Sequence, residues 1–218
     1  MHTQYDSVLL DFDGTMVDTG PGIVSALGMA ARDKSIDAPL EKTWLFIGPP
    51  IHTFARGTLG LEEEEAVELV KGFRRYYNSE EWKKSRPYDG IRELLKKLKE
   101  AGKMVYVCTS KPEEIARMML RHFDLPVDDV CGANDATNLR DKGDIIRFGA
   151  QRFGFALDCS TVMVGDAPRD ITAGHECGVD TIAVHYGYGV PEELRAVKAT
   201  HEVDSVAELT ALLLGEKA

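Results

Sequence analysis

Paired cysteines are missing: the four in the chain, Cys108, Cys131, Cys159 and Cys177, are widely spaced and form no CxxC. That excludes a cysteine-rich structural zinc site and a thioredoxin-like motif. Positive charge is also short, with 26 Lys and Arg against 36 Asp and Glu and a formal net charge of −10. Such a surface opposes non-specific nucleic-acid binding, which needs basic groups to displace counterions from phosphate. No apolar run reaches the roughly 18 residues of a membrane span, and Met1 to Ser7 lacks the basic patch and apolar stretch of a signal peptide. A cytoplasmic protein, neither secreted nor embedded, is the expectation. The six histidines have no paired metal-ligand spacing. Gly20-Pro21-Gly22 and Gly187-Tyr188-Gly189 complete neither a dinucleotide nor a P-loop fingerprint and read as loops.

The composition that remains, 44% hydrophobic and 28% charged over 218 residues, suits a globular chain with a sizeable core. Val8-Leu9-Leu10 is a short apolar run opening into Asp11-Phe12-Asp13-Gly14-Thr15, which predicts a buried strand followed by a glycine-containing loop. Ile91, Leu94, Leu95 and Leu98 share one helical face, and Gly102 is placed to end that helix. Met104 to Cys108 reads as a second strand, and Lys111-Pro112-Glu113-Glu114 as the start of the next helix. Strands near Val127 to Cys131, Thr161 to Val164 and Thr181 to Val184 alternate with helices near Gly143 to Phe153 and Arg169 to Cys177. This alternation predicts an α/β fold with a doubly wound parallel sheet. Ligands of such sheets bind beyond the strands' carboxyl ends, where Asp11, Thr109 and Asp166 all fall.

Between Thr19 and Arg86 the pattern changes to helical stretches at Ile23 to Ala31, Ile51 to Leu59 and Glu63 to Tyr77. Breakers at Pro21-Gly22 and Pro87-Tyr88-Asp89-Gly90 flank them. The expected organisation is a catalytic core of residues 1–18 and 87–218 with a small helical insertion at 19–86.

The DxDGT segment sets two carboxylates two residues apart around a tight turn, so that one can attack while the other moves protons. Carboxylates are established nucleophiles in phosphoryl transfer, where an acyl phosphate divides one hard displacement into two easier ones. Charge on the phosphoryl oxygens then calls for a cation, a lysine, a hydroxyl and backbone N–H groups.

With these motifs the chain resembles the haloacid-dehalogenase superfamily, in its phosphoglycolate-phosphatase-like branch with a helical cap. The first family motif matches Asp11 to Thr15 and the second matches Thr109 in Val107-Cys108-Thr109-Ser110-Lys111. The third, a lysine before a helix, matches Lys142, with Lys111 as its rival. The fourth matches Gly165-Asp166-Ala167-Pro168-Arg169-Asp170. The resemblance implies a Rossmann-like core and a Mg²⁺-dependent phosphatase with Asp11 as nucleophile and Asp13 as general acid and base. Phosphate would be bound by Thr109, Ser110 and Lys142. Mg²⁺ would be held by the Asp11 and Asp166 carboxylates and the Asp13 carbonyl, with Asp170 beside or behind that shell. Phe46, Ile47, Gly48 and Arg56 lie where the cap would face a small phosphorylated metabolite.

Phosphoglycolate is one substrate consistent with this reading. A 5'-nucleotidase or a phosphosugar mutase of the same superfamily are alternatives, and the non-enzymatic one is a phosphoaspartate signalling receiver. Dehalogenase or phosphonate-cleaving relatives are disfavoured because they would replace Asp13. The leaving alcohol and the oligomeric state are not legible.

Overall fold

The structure, a computed structural model, describes residues 5–216. In chain order the elements begin with β1 (Ser7–Leu10), β2 (Val17–Asp18), α1 (Gly20–Asp33), α2 (Ile51–Gly57), α3 (Glu63–Ser79) and β3 (Arg86–Pro87). They continue with α4 (Ile91–Glu100), β4 (Met104–Pro112), α5 (Glu113–His122), β5 (Asp129–Ala133), α6 (Lys142–Phe153) and β6 (Thr161–Gly165). The last are α7 (Pro168–Glu176), β7 (Asp180–Val184), α8 (Pro191–Ala196), β8 (His201–Val203) and α9 (Val206–Leu214). Among the described residues no helix is long and apolar enough to cross a membrane.

The chain divides into two units, one formed by Met1–Met16 with Pro87–Ala218 and the other by Val17–Arg86. In the first, six strands form one parallel sheet in the order β5-β4-β1-β6-β7-β8. The central strand β1 pairs Leu10 with Val107 of β4 on one side and with Val164 of β6 on the other. All four of its residues are buried. A parallel strand covered on both faces has no use for alternation, which is why it reads as a continuous apolar run. The chain runs outward from β1 through β4 to β5, then crosses back to β6, β7 and β8, so the winding direction reverses at β1. Reversal opens a crevice at the strands' carboxyl ends.

Helix α4 turns Ile91, Leu94, Leu95 and Leu98 inward, each completely buried. Burying each such side chain stabilises the fold by about 1.5–3 kcal/mol relative to leaving it in water. Gly102, at φ +73°, ends the helix as its position predicts, because a left-handed residue there carries no side-chain penalty.

Strand β4 differs from the expectation. It continues to Pro112, and helix α5 starts only at Glu113, so Lys111 is a strand residue and does not open the helix. Proline favours extended backbone in the residue before it, and Pro112 itself has ψ 128° and pairs with Ala133 of β5 after an irregularity in the register. The short strand β8 and helices α8 and α9 lie beyond the elements expected from the sequence.

The second unit is helical. Gly72 of α3 lets that helix approach α1 closely, since a Cβ there would stand 3.2 Å from the Ala30 Cβ. Phe46 packs on Phe54 with ring centroids 5.1 Å apart.

Candidate active site

Asp11 follows β1 directly, and its N–H donates to the Val164 carbonyl of β6 at 2.9 Å. The loop that begins there turns at Gly14, at φ +82°, where a side chain would overlap the Asp166 carboxylate. Asp166 follows β6. Thr109 lies within β4, and Lys142 is the first residue of α6. That helix is capped by Asp141, whose Oδ1 accepts from the Gly143 N–H at 2.9 Å and the Asp144 N–H at 3.2 Å. Two neighbouring strands, the switch-point strand between them and one helix start therefore converge.

Lys142 stands at the centre, 2.8 Å from Asp11 Oδ1 and 2.7 Å from Asp170 Oδ1. These are charge contacts whose angles are poor for hydrogen bonding. Burial alone would lower the Lys142 pKa, but Asp11 and Asp170 outweigh it and hold the ammonium above its ordinary value. Burial likewise would raise the Asp11 carboxyl, and Lys142 with Arg169 overturns this and holds it below the usual carboxylate range. Asp11 is thereby kept ionised, as a carboxylate nucleophile must be.

Asp166 behaves oppositely. Burial first, then the charges of Asp170 and Asp11, push its carboxyl up to about 7. Two donors restrain it: the Thr15 hydroxyl at 3.0 Å and the Tyr188 N–H at 2.8 Å. Asp170 is fully buried, and burial with the charge of Asp11 raises its carboxyl against the pull of Lys142. Its Oδ2 accepts from the Ala167 N–H at 3.2 Å.

Asp11, Asp166 and Asp170 each offer a carboxylate oxygen within 4.8 Å of the others. Hard oxygen donors that repel one another suit a divalent cation such as Mg²⁺, and the raised Asp166 carboxyl records the repulsion that a cation would relieve. The donor set fits Mg²⁺. Both Asp170 oxygens already face protein donors, which suits a carboxylate that orients the others from behind.

The remaining expected residues divide. Asp13 is partly exposed and pairs with Lys111, Nζ to Oδ1 2.9 Å. Thr109 is buried and its Oγ1 accepts from the Lys111 N–H at 3.1 Å, leaving its own hydroxyl hydrogen to donate. Ser110 is half-buried beside it. In the second unit, by contrast, Phe46 and Ile47 are buried and Phe46 packs on Phe54. Gly48 takes φ +99°. Arg56 donates to the Leu61 carbonyl and faces Glu62 at 3.6 Å and Glu63 at 3.5 Å. Packing and ion pairing account for these side chains, so the expectation that Phe46, Ile47 and Arg56 face substrate gains no support from their contacts.

The glycine-rich Gly187-Tyr188-Gly189 segment was legible only as a loop, yet it wraps Asp166. A side chain on Gly187 would overlap Asp166 Cβ and one on Gly189 would overlap the Asp166 carbonyl, while the Tyr188 N–H holds the carboxylate. Tyr186 donates its hydroxyl to the Thr15 carbonyl at 2.9 Å, tying the same segment to the first loop. Glycines spaced two apart after a strand were the available signal, and they match no fingerprint.

Residues 8–184 match the family model of haloacid dehalogenase-like hydrolases. A 5'-nucleotidase of Pseudomonas aeruginosa is 34% identical over 213 residues, 96% of each chain. The tyrosine-protein kinase PtkA of Mycobacterium tuberculosis is 35% identical over 187 residues, 84% of this chain and 62% of that one. Further relatives carry the name phosphoglycolate phosphatase. Among solved structures, a predicted phosphatase from Clostridium acetobutylicum superposes with a TM-score of 0.91 at 31% identity, covering 97% of this chain and 99% of that one. A family model spanning most of the chain, together with the carboxylates at the ends of β1 and β6, leads to one conclusion: this chain belongs to the haloacid dehalogenase-like hydrolases.

Proposed function

We propose that the protein is a Mg²⁺-dependent phosphomonoester phosphatase acting through an aspartyl-phosphate intermediate on Asp11. The observation that carries this reading is the ionised, buried Asp11 held by Lys142 beside Asp166 and Asp170 at the sheet's switch point. Asp11 attacks phosphorus, and the ester P–O bond breaks as Asp13 gives its proton to the leaving alkoxide. Asp13 then takes a proton from the water that attacks the acyl phosphate, releasing phosphate and restoring Asp11. The Thr109 hydroxyl and the Ser110 N–H donate to the phosphoryl oxygens, and Lys142 balances the charge of Asp11. Mg²⁺ would be held by the Asp11 and Asp166 carboxylates and the Asp13 carbonyl, with Asp170 behind, and would neutralise charge between nucleophile and substrate.

The substrate class is a small phosphorylated metabolite, with phosphoglycolate and a nucleoside monophosphate as the two candidates that relatives' names support. The helical segment 19–86 is proposed as the cap that selects the leaving group. A second outcome of the same intermediate is transfer to an acceptor other than water, as in a mutase. The likeness to PtkA is the observation that keeps it open.

Rapid mixing tests the reading. Asp13→Asn, given an aryl phosphate with an acidic phenol, should release a burst of about one phenol per site and then stall. With an alkyl phosphate the same variant should slow by about 10²–10⁴-fold, the reach of general acid–base catalysis. Asp11→Asn should give no burst. A burst from Asp11→Asn, or wild-type turnover after rigorous chelation, would overturn the mechanism, and stoichiometric transfer to an alcohol without phosphate release would replace hydrolysis with transfer.

A further inference from the structure

Lys111 is absent from the mechanism above, yet its surroundings are built. Its side chain is buried, Nζ lies 2.9 Å from Asp13 Oδ1, and the ammonium sits 5.5 Å from the centroid of the Phe12 ring. The main chain around it is fixed as well. Its N–H donates to Thr109 Oγ1, and β4 stays extended through it. On the neighbouring strand Gly132 has no side chain, and a Cβ there would press to 2.7 Å on the Lys111 carbonyl. The strand end therefore closes on β5 at Gly132 and delivers the lysine toward the first loop. Lys142 and Lys111 thus divide two carboxylates set two residues apart, Lys142 taking Asp11 and Lys111 taking Asp13.

We propose that Lys111 is a positioning residue for Asp13, holding that carboxylate in the rotamer from which it exchanges protons with the leaving group and with water. The proposal rests on the reading of Asp13 as acid and base. Asp13 lies in a loop that turns at Gly14, where the backbone leaves its side chain several staggered rotamers. An ion pair largely removed from water is much stronger than one at the surface. Lys111 supplies that restraint from a backbone anchored on β4 and not on the first loop. A proton carrier displaced by about 1 Å can lose on the order of 10²-fold in rate. A lysine that instead bound the transferring phosphate would act on every substrate alike. Because Lys111 acts through Asp13, it should matter most where the leaving group most needs a proton.

The test is a double-mutant cycle with ethyl phosphate and p-nitrophenyl phosphate on the full-length, Mg²⁺-loaded protein. Lys111→Met should lower kcat for ethyl phosphate by about 10–10²-fold while leaving KM within about twofold, since orientation and not binding is lost. The p-nitrophenol burst should keep its rate. Lys111→Arg should recover most of the loss, and Lys111→Met should add nothing in an Asp13→Asn background, because residues acting as one unit are non-additive. Should Lys111→Met fail to fold, Lys111→Gln carries the same cycle. Losses that multiply in the double variant, or a KM raised equally for both substrates, would overturn the positioning role while leaving the phosphatase reading intact. Wild-type turnover of ethyl phosphate by Asp13→Asn would overturn both.

Discussion

Two groups of charged side chains in this protein obey different rules. Beyond β1 and β6, Asp11, Asp166, Asp170 and Lys142 are each at most 4% exposed; Lys142 lies within 2.8 Å of Asp11 and Asp170, and Arg169 adds a second positive charge nearby. In the helical unit, Arg56, His52, Glu62 and Glu63 form pairs of 3.0–3.6 Å with side chains that are 41–87% exposed. Exposed pairs change little when broken, because water replaces the partner and the median contribution is about 0–1 kcal/mol. Buried charges have no such substitute, and a surplus of one sign is tolerated only where something else is meant to bind. The surplus of buried carboxylates fits the proposed cation site, whereas the exposed pairs of the helical cluster are accounted for without a ligand.

The largest break should come at Lys142. Lys142→Met leaves Asp11 and Asp170 buried without their cation, and uncompensated buried charge destabilises by about 3–5 kcal/mol. Adding Asp170→Asn should restore part of the stability without restoring activity, since the surplus charge falls while Asp11, the proposed nucleophile, still lacks its partner. Urea unfolding of the single and double variants measures the stabilities, and phosphate release measures the activity. A Lys142→Met protein within 1 kcal/mol of wild type would show that the cluster is less tightly coupled than its 2.7–2.8 Å contacts imply.

The same contrast explains what could be read from sequence. Asp11, Asp166 and Asp170, which the structure gathers, sit in short segments where a strand end and a glycine fix the neighbours, so local spacing was enough to single them out. The parallel sheet followed from apolar runs alternating with amphipathic helices, and α4 and α6 appear where the pattern put them. Contacts made across the fold left no local trace. Lys111 and Asp13 are 98 residues apart, and Tyr188 reaches Asp166 from 22 residues away. Lys111 was further obscured by the proline after it, which resembles a helix start but here continues an extended strand. Phe46 and Ile47 show the limit of local reading, because an apolar residue near a Gly-Pro-Pro turn reads the same whether it faces a ligand or a core, and both are buried in the helical unit.

A smaller effect, with a change of sign, is expected at Asp166. In the chelated protein its folded carboxyl titrates at about 7, while the unfolded one titrates near the ordinary value of about 3.9. Between these values the folded state keeps a proton that the unfolded chain has lost, so stability falls as pH rises through the window and the deficit is complete above it. Asp166→Asn removes that deficit. With chelator at pH 8 the variant should melt several degrees above wild type, at about 2–4 °C per kcal/mol for a chain of this size. The gap should shrink toward pH 5. Added Mg²⁺ should reverse the order by stabilising the wild type alone. A variant that melts lower at pH 8 without metal would mean that the Thr15 and Tyr188 donors outweigh the repulsion.

The smallest effect belongs to Arg56, and it bears most directly on the contrast between the two clusters. Its side chain is 41% exposed, and its guanidinium lies close to Glu62 and Glu63 and donates to the Leu61 carbonyl just beyond α2. Those contacts describe a residue that ties the end of one helix to the start of the next. Arg56→Ala should lower stability by less than about 1 kcal/mol, the usual range for exposed pairs, with a small further loss from its aliphatic stem. The relative kcat/KM values across phosphorylated acids, sugars and nucleotides should stay in wild-type order. An arginine that binds an anionic part of the substrate behaves otherwise: its loss raises KM selectively for ligands bearing a second anionic group and leaves the melting temperature almost unchanged. Steady-state assays on a carboxylated and an uncharged phosphomonoester, run beside a thermal melt, separate these outcomes. A reordered substrate ranking with unaltered stability would move Arg56 from scaffolding to specificity, and would show that paired, exposed charge can also serve recognition.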